Sequence, residues 1–458
     1  MTKLSRALKP RKTTQINMSQ GPIVKQMVLF SLPLILGDVL QLLYNTTDML
    51  IVGNFIGKAA LAAVGSTAQV INIFIGFFTG LSLGATVLIS RNYGADDRKK
   101  LNTAVRTTVW LTIVMGFIIT VLGYLLTPAL LKLLGTTDDV IVDAADYLKI
   151  YFLGTLSQVL YNMFAGILRA VGDSKRPMYI LLFSCFLNVG LDLLFIVAFD
   201  LGVSGAAIAT IISQIICALI LLNFIYNIPE FKPISFRKPC FDKPSLTVIF
   251  KVGVPYGIQK AVISLSNTII LSFINYFGSG AMAGWTVYGK LDQVIVLTSQ
   301  SISTAITTFD SQNLGAGKLE RVHKGNMAGL LLNIVIWLIF LVIMLPGKYT
   351  IIGWFNKDPE VLYYGGIIAN YMIPFHFLNS IAHAYYGMLR GQGHENAPTV
   401  ISLAFMVVLR QIYLHIIWLF THDFNYVMLA FPIAWILSVI GVLVYISIIK
   451  KKDKWLII

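Results

Sequence analysis

The chain has 458 residues, of which 57% are hydrophobic and 12% charged, with a formal net charge of +14. Soluble domains carry about 25% charged residues, so this composition argues against a water-soluble enzyme with a membrane anchor, and no long polar segment is left over to fold in water. The positive excess does not point to nucleic acid either, because it is segregated along the chain as described below.

Residues 1–26 are basic and polar and lack the apolar core and small-residue cleavage site of a signal peptide. Apolar stretches then recur to the far end, at 27–52, 63–89, 104–127, 147–168, 178–199, 205–226, 249–276, 281–307, 327–346, 366–388, 397–420 and 425–449. Each approaches the length of about 20 residues that crosses some 30 Å of hydrocarbon as helix. Runs such as Leu330 to Leu345 do not alternate apolar with polar residues, which argues against a barrel. With twelve crossings, 27 Lys and Arg fall on the side of the chain ends and four (Lys58, Lys132, Lys348, Lys357) on the other. By the positive-inside rule both ends are expected in the cytoplasm. The segment from Asn227 to Lys251 carries four prolines and five basic residues and reads as the link between two six-span halves. The expected division is 1–26 cytoplasmic segment, 27–226 N-lobe, 227–248 linker, 249–449 C-lobe and 450–458 cytoplasmic tail.

The halves echo each other. Asn92-Tyr-Gly-Ala95 returns as Asn313-Leu-Gly-Ala316, and Gly166-Ile-Leu-Arg169 as Gly387-Met-Leu-Arg390, both offset by 221 residues. Pro33 matches Pro255, and Asn45 matches Asn267. Six crossings per half make the repeats parallel, related by an axis along the membrane normal, with the cargo site expected at their interface.

Polar side chains inside a span are costly and usually mark a pathway. In the first span Tyr44, Asn45 and Asp48 share one helix face, as do Asn188 and Asp192 in the fifth. Thr210 lies in the sixth span. A carboxylate ringed by amide and hydroxyl oxygens can hold Na⁺ or share a proton; the plainer reading of Asp48 is a solvated residue at its helix end. The second half has no acid at the matching places. Asp38 and Lys260 are repeat mates about 11 residues into their spans, roughly 16 Å at 1.5 Å per residue. They are read as a pair that forms when one side of the cleft closes, or as two groups facing a wet vestibule. Arg169 and Arg390 are read as headgroup anchors or carbonyl caps at span ends. His376 and His383, seven residues apart, are read as cavity wall rather than as a metal pair. The three cysteines show no metal or redox spacing, and there is neither a nucleophile–base constellation nor a phosphate-binding loop.

Leu43-Tyr44-Asn45-Thr46-Thr47-Asp48, Gly166-Ile-Leu-Arg169-Ala-Val-Gly172-Asp173, Leu187-Asn188-x-x-Leu191-Asp192 and Gly205-Ala-Ala-x-Ala-Thr210 occur in this order. The series resembles the MATE (multidrug and toxic compound extrusion) family, and its DinF-like branch in particular. The resemblance runs from about residue 22 to 449. It implies an all-α membrane protein of twelve helices in two six-helix lobes around a V-shaped cleft. It implies a secondary antiporter, not an enzyme, that expels organic, cationic or amphiphilic compounds in exchange for H⁺, the favoured ion, or Na⁺. No other cofactor is implied. Asp48, Asn188, Asp192, Thr210 and Tyr44 would form the cation site, with Na⁺ as its only metal. Asp38, Lys260, Gln41, Asn162 and Gln259 would line the cavity or its gate. The expected setting is a prokaryotic inner membrane, the expected working unit a monomer among lipids, and nucleic acid is not a partner. The alternative cargo is a lipid-linked oligosaccharide or a phospholipid, moved by a flippase of the same superfamily.

Overall fold

A computed structural model describes residues 15–133 and 141–452. The first 14 residues of the basic N-terminal segment and residues 453–458 of the tail therefore lie outside the described residues. Among the described residues every regular element is a helix, as lipid requires of a chain that must satisfy its backbone internally.

The first half comprises span 1 (Ile23–Phe55), span 2 (Lys58–Gly94), span 3 (Arg98–Leu133), span 4 (Ile141–Leu153 then Thr155–Ala170), span 5 (Lys175–Asp192, continued by a π-helical stretch Leu193–Ala198) and span 6 (Gly202–Tyr226). The second half repeats it with span 7 (Lys243–Asn275), span 8 (Ser279–Gly315), span 9 (Leu319–Met344), span 10 (Pro359–Met372 then His376–Gln392), span 11 (Asn396–Ser402, π-helical Leu403–Leu409, Arg410–Phe420) and span 12 (Phe424–Lys452). Among the described residues nine are long and apolar enough to cross a membrane as single helices, and spans 4 and 10 are so as bent pairs, at 49° and 50°. Pro374 lies in the second break, where a missing N–H and ring clash interrupt the helix. Span 8 completes twelve. It is too polar for a lipid-exposed span, and it carries buried Ser299, Ser301, Ser303, Thr307 and Asp310 inward, which is where such groups are tolerated. The outer surface is apolar: Phe186, Leu419 and Phe420 are 73%, 82% and 80% exposed, a patchwork that lipid covers and water would not.

The repeat extends to individual hydrogen bonds. In the first half, hydroxyls of span 2 donate to carbonyls of span 4: Thr86 to Gly166 at 3.2 Å and Ser90 to Ala170 at 3.0 Å. In the second half Thr307 donates to Gly387 at 3.0 Å and Ser311 to Gly391 at 3.3 Å, each group standing 221 residues after its mate. Gly166 and Gly387 recur because a Cβ there would stand 2.3 Å from Ser82 Oγ and 2.5 Å from the Ser303 carbonyl.

The halves meet at the face crossed by residues 15–21, here the terminal face. Span 2 and span 7 touch at Gly80, where a Cβ would meet the Gly253 carbonyl at 2.4 Å, and at Gly84, where it would meet that of Ile249 at 2.4 Å. At the terminal face the contact is reciprocal. A Cβ on Gly94 would lie 1.9 Å from the Gln312 carbonyl, and one on Gly315 2.0 Å from that of Arg91. Gln312 Nε2 donates across to the Ala170 carbonyl (2.8 Å), and Arg91 to that of Gly391 (3.5 Å). Gly94 and Gly315, Arg91 and Gln312, and Ala170 and Gly391 are all repeat mates, so the two halves clasp each other by the same motif. Residues 15–21 cross this clasp. Ile16 N–H donates to the Gly172 carbonyl of the first half (3.0 Å) and Met18 N–H to Gln312 Oε1 (3.1 Å). Arg321 holds the carbonyls of Met18, Gly21 and Gln20 at 3.1, 2.7 and 3.1 Å. Met18 is fully buried among Phe30, Ile306 and Phe309. Toward the far face the close approaches stop at Gly76 beside Lys260, and a Cβ on Gly65 would have no neighbour within 4 Å. The close backbone approaches of the two halves at glycine thus lie toward the terminal face.

Candidate functional site

Spans 1, 5 and 6 bring the sequence-derived residues of the first half together. Span 1 presents Tyr44 and Asp48 one turn apart, and span 5 ends its α-helical part on Asp192, immediately before the π-helical stretch. Single π-turns inside α-helices are uncommon and recur at functional sites. With its amide nitrogen toward the acids, Asn188 donates to Asp48 Oδ1 at 2.6 Å and to Asp192 Oδ2 at 3.3 Å, and its oxygen accepts from the Tyr44 hydroxyl at 3.2 Å. Tyr44 also lies against the hydroxyls of Thr210 and Ser213 on span 6. Asn188 and Ser213 are fully buried, and Asp192, Tyr44 and Thr210 are nearly so, while Asp48 retains partial exposure. Asp192 Oδ1 is buried without a hydrogen-bond partner. Two carboxylates in one dry cluster, with no Lys or Arg paired to either among the described residues, are costly as two charges, and a proton or monovalent cation removes that cost. The orphaned Asp192 oxygen is an acceptor left open. Ser213 is a member that sequence reading missed; its i+3 spacing from Thr210 on one helix face was the available signal.

The remaining candidates are placed elsewhere. Gln41 donates to Asn45 at 3.3 Å and Asn162 to the Gln158 carbonyl of its own helix at 2.9 Å, so neither joins the acid cluster. Asp38 accepts from Ser301 and Lys260 donates to Gln300 Oε1 at 2.5 Å. Successive residues of span 8 thus hold the two apart, and they make no ion pair within 4.0 Å in this conformation. Gln259 is buried and accepts from Arg390 at 3.0 Å. Arg390 therefore corrects the reading of it as a headgroup anchor. It is 5% exposed, its guanidinium lying 4.5 Å from the Tyr256 ring centre and 5.8 Å from that of Tyr386, because the bend in span 10 turns its second segment inward. His376 is likewise paired, with Asp292 Oδ1 of span 8 at 2.6 Å. This pair joins spans 8 and 10 of the second half, away from the acid cluster.

Comparison with known proteins agrees with this architecture. The MatE family model matches twice, at residues 33–194 and 255–416, once per half. The chain is 30% identical over 394 residues to the probable multidrug resistance protein YoeA of Bacillus subtilis, covering 84% of this chain and 85% of that one. It is 25% identical over 390 residues to the multidrug export protein MepA of Staphylococcus aureus, covering 84% and 85%. Among solved structures, the outward-facing conformation of a multidrug resistance MATE family transporter superposes with a TM-score of 0.88 at 22% identity, over 96% of this chain and 100% of that one. The chain belongs to the MatE family.

Proposed function

We propose that this membrane protein is a cation-coupled secondary antiporter that expels small organic compounds, and that Asp48, Asn188 and Asp192 carry the coupling ion. The observation that bears most weight is the buried two-carboxylate cluster with one carboxylate oxygen left without a partner. A proton shared between the acids is the favoured coupling ion. The Asn188 amide lies against both carboxylates: its nitrogen serves a shared proton, and its oxygen would serve Na⁺. Loading the ion neutralises the first-half bundle around spans 1, 5 and 6 and weakens cargo binding, and linkage requires cargo to weaken ion binding by the same factor. The lysine and arginine bias supports a cytoplasmic terminal face, and family membership supports the cytoplasmic membrane of a prokaryote as the setting. The lobes correspond to 27–226 and 249–449, and one chain is the working unit.

The test is uphill efflux of a fluorescent organic cation from vesicles under separate H⁺ and Na⁺ gradients. Wild type is compared with Asp48→Asn, Asp192→Asn and the double variant. Loss of uphill transport in the double variant, with downhill exchange retained, is expected. Uphill efflux undiminished in the double variant would refute the assignment, and movement of lipid-linked sugar without dye efflux would replace the cargo.

A further inference from the structure

Besides the acid cluster, the second half buries a titratable pair that the coupling scheme does not use. His376 opens the second segment of span 10, immediately after the 50° bend, and is fully buried. Its Nε2 lies 2.6 Å from Asp292 Oδ1 of span 8. A carboxylate only accepts, so Nε2 carries the hydrogen of that bond. Nδ1 is buried without a partner, which leaves one lone pair for one more proton. The Trp435 ring of span 12 covers the imidazole at 4.7 Å between centres. Trp337 of span 9 donates to the Ile373 carbonyl at the bend, at 3.0 Å. The repeat mates of the pair are Ile71 and Thr155, so the first half has no counterpart.

Two influences act on that proton in opposite directions. Burial, and the positive end of the helix that starts at His376, disfavour an imidazolium. Asp292 favours it, and a full negative charge in contact exceeds the roughly half charge of a helix end. Other groups on the packed elements do not replace this acid. Tyr288 lies one turn before Asp292, and His383 two turns after His376, with Lys260 and Arg390 approaching from beyond it. Tyr371 precedes the bend, and span 2 has no titratable residue from Thr67 to Ser90. Asp38, Lys348 and Arg410 are engaged elsewhere, with Ser301, Asn370 and Ser266. Occupancy therefore turns on the distance between spans 8 and 10. In contact, imidazolium and carboxylate neutralise each other; without the added proton the pair is a net negative charge in a dry interior, which is costly. Asp292 supplies the way in. Its side chain is 25% exposed, beside Thr286, Lys290 and Gln293, an exposed strip of span 8 at helical spacing that is too polar for lipid. Ser301 of the same helix donates to Asp38 of the first half, so a shift between the halves acts on span 8 directly.

We propose that Asp292 and His376 form a second proton-binding site, which holds a proton while spans 8 and 10 are in contact and gives it up when they part. It deepens the coupled-export reading by adding a proton carried by the second half, and it rests on that reading only for the step from proton binding to transport.

The test uses the full chain in phosphatidylcholine vesicles, with its histidines ¹⁵N-labelled and imidazole protonation followed against pH by solid-state NMR. One resonance should titrate and be absent from His376→Gln, whose amide nitrogen keeps a donor toward Asp292. Asp292→Asn should weaken the proton affinity of that imidazole about 10-fold or more, the effect of removing a contacting opposite charge. Asp292→Glu should restore part of the loss. The other histidines check the fold, since a misfolded variant shifts them all. A His376 imidazole that keeps one protonation state from about pH 5 to 8, or equal affinity in wild type and Asp292→Asn, would overturn the site. Coupling is read in the same vesicles, with the membrane potential clamped at zero and a pH difference of about one unit. The gradient of a fluorescent organic cation sustained by His376→Gln should be about 10-fold smaller than that of wild type, one proton fewer per cargo. An equal gradient would overturn the place of the pair in the cycle. No gradient in wild type, with H⁺ or with Na⁺, would refute the export reading instead, and the titration would still decide the site.

Discussion

Gly94→Ala perturbs the contact on which the closed terminal face depends. The new methyl would stand 1.9 Å from the Gln312 carbonyl, a backbone atom in a helix that cannot rotate away. Gly94 and Gln312 belong to different halves, so the clash is relieved by parting the halves at this face, the movement an alternating-access protein makes in any case. Overpacking of this kind costs about 1–3 kcal/mol. Charged to one of two states, it shifts their ratio by about 5- to 150-fold. The measurement is the distance between spin labels on Asn54→Cys and Asn275→Cys, exposed repeat mates at the far face, in a background without Cys185, Cys217 and Cys240. Wild type should show one long distance, and Gly94→Ala a second, shorter population as the far face closes. Gly65→Ala, with nothing within 4 Å, should leave the distribution unchanged. A folded Gly94→Ala protein with the wild-type distribution would refute the argument that this contact holds the state.

Arg321→Ala removes three donors from the carbonyls of the segment over the clasp; it should shift the same label distances in the same direction, and Arg321→Lys less so. Tyr386→Phe deletes a buried hydrogen bond to Ser438 at 2.5 Å and should cost about 1–2 kcal/mol, visible as a lowered Tm of the detergent-solubilised protein with dye affinities unchanged. The charge exchange Asp38→Lys with Lys260→Asp should not restore transport lost in the single variants, because Ser301 and Gln300 hold the two groups separately; recovery would show that they pair in another conformation.

Much of the architecture is legible in the chain. Apolar length sets the spans, the 221-residue offset sets the two halves, and the Asp48, Asn188 and Asp192 spacings already place these residues on helix faces. Span 8 is the instructive case. Its serines and threonines make it a poor membrane helix by composition, yet it is the centre of the second half, because the neighbouring helices shield it from lipid. Arg390 shows the limit. A cation at a span end looks like a headgroup anchor, and only the 50° bend of span 10 turns it into a buried group among tyrosines. Asp292 and His376 are 84 residues apart, with nothing local to join them.

The sequence by itself determined that the chain is a duplicated helical membrane protein whose Asp48 and Asp192 have no acid at the matching places of the second half, since apolar length, repeat and residue type are local properties that a linear text records. Which polar groups meet, that Arg390 lies buried against Gln259 and two tyrosines, and that Gly94 and Gly315 clasp the halves at one face were decided only by tertiary structure. Helix bends, tilts and the packing of one half on the other set the distances between residues far apart in the chain, and in a low-dielectric interior those distances govern whether a charge is paired, stranded or ready for a ligand.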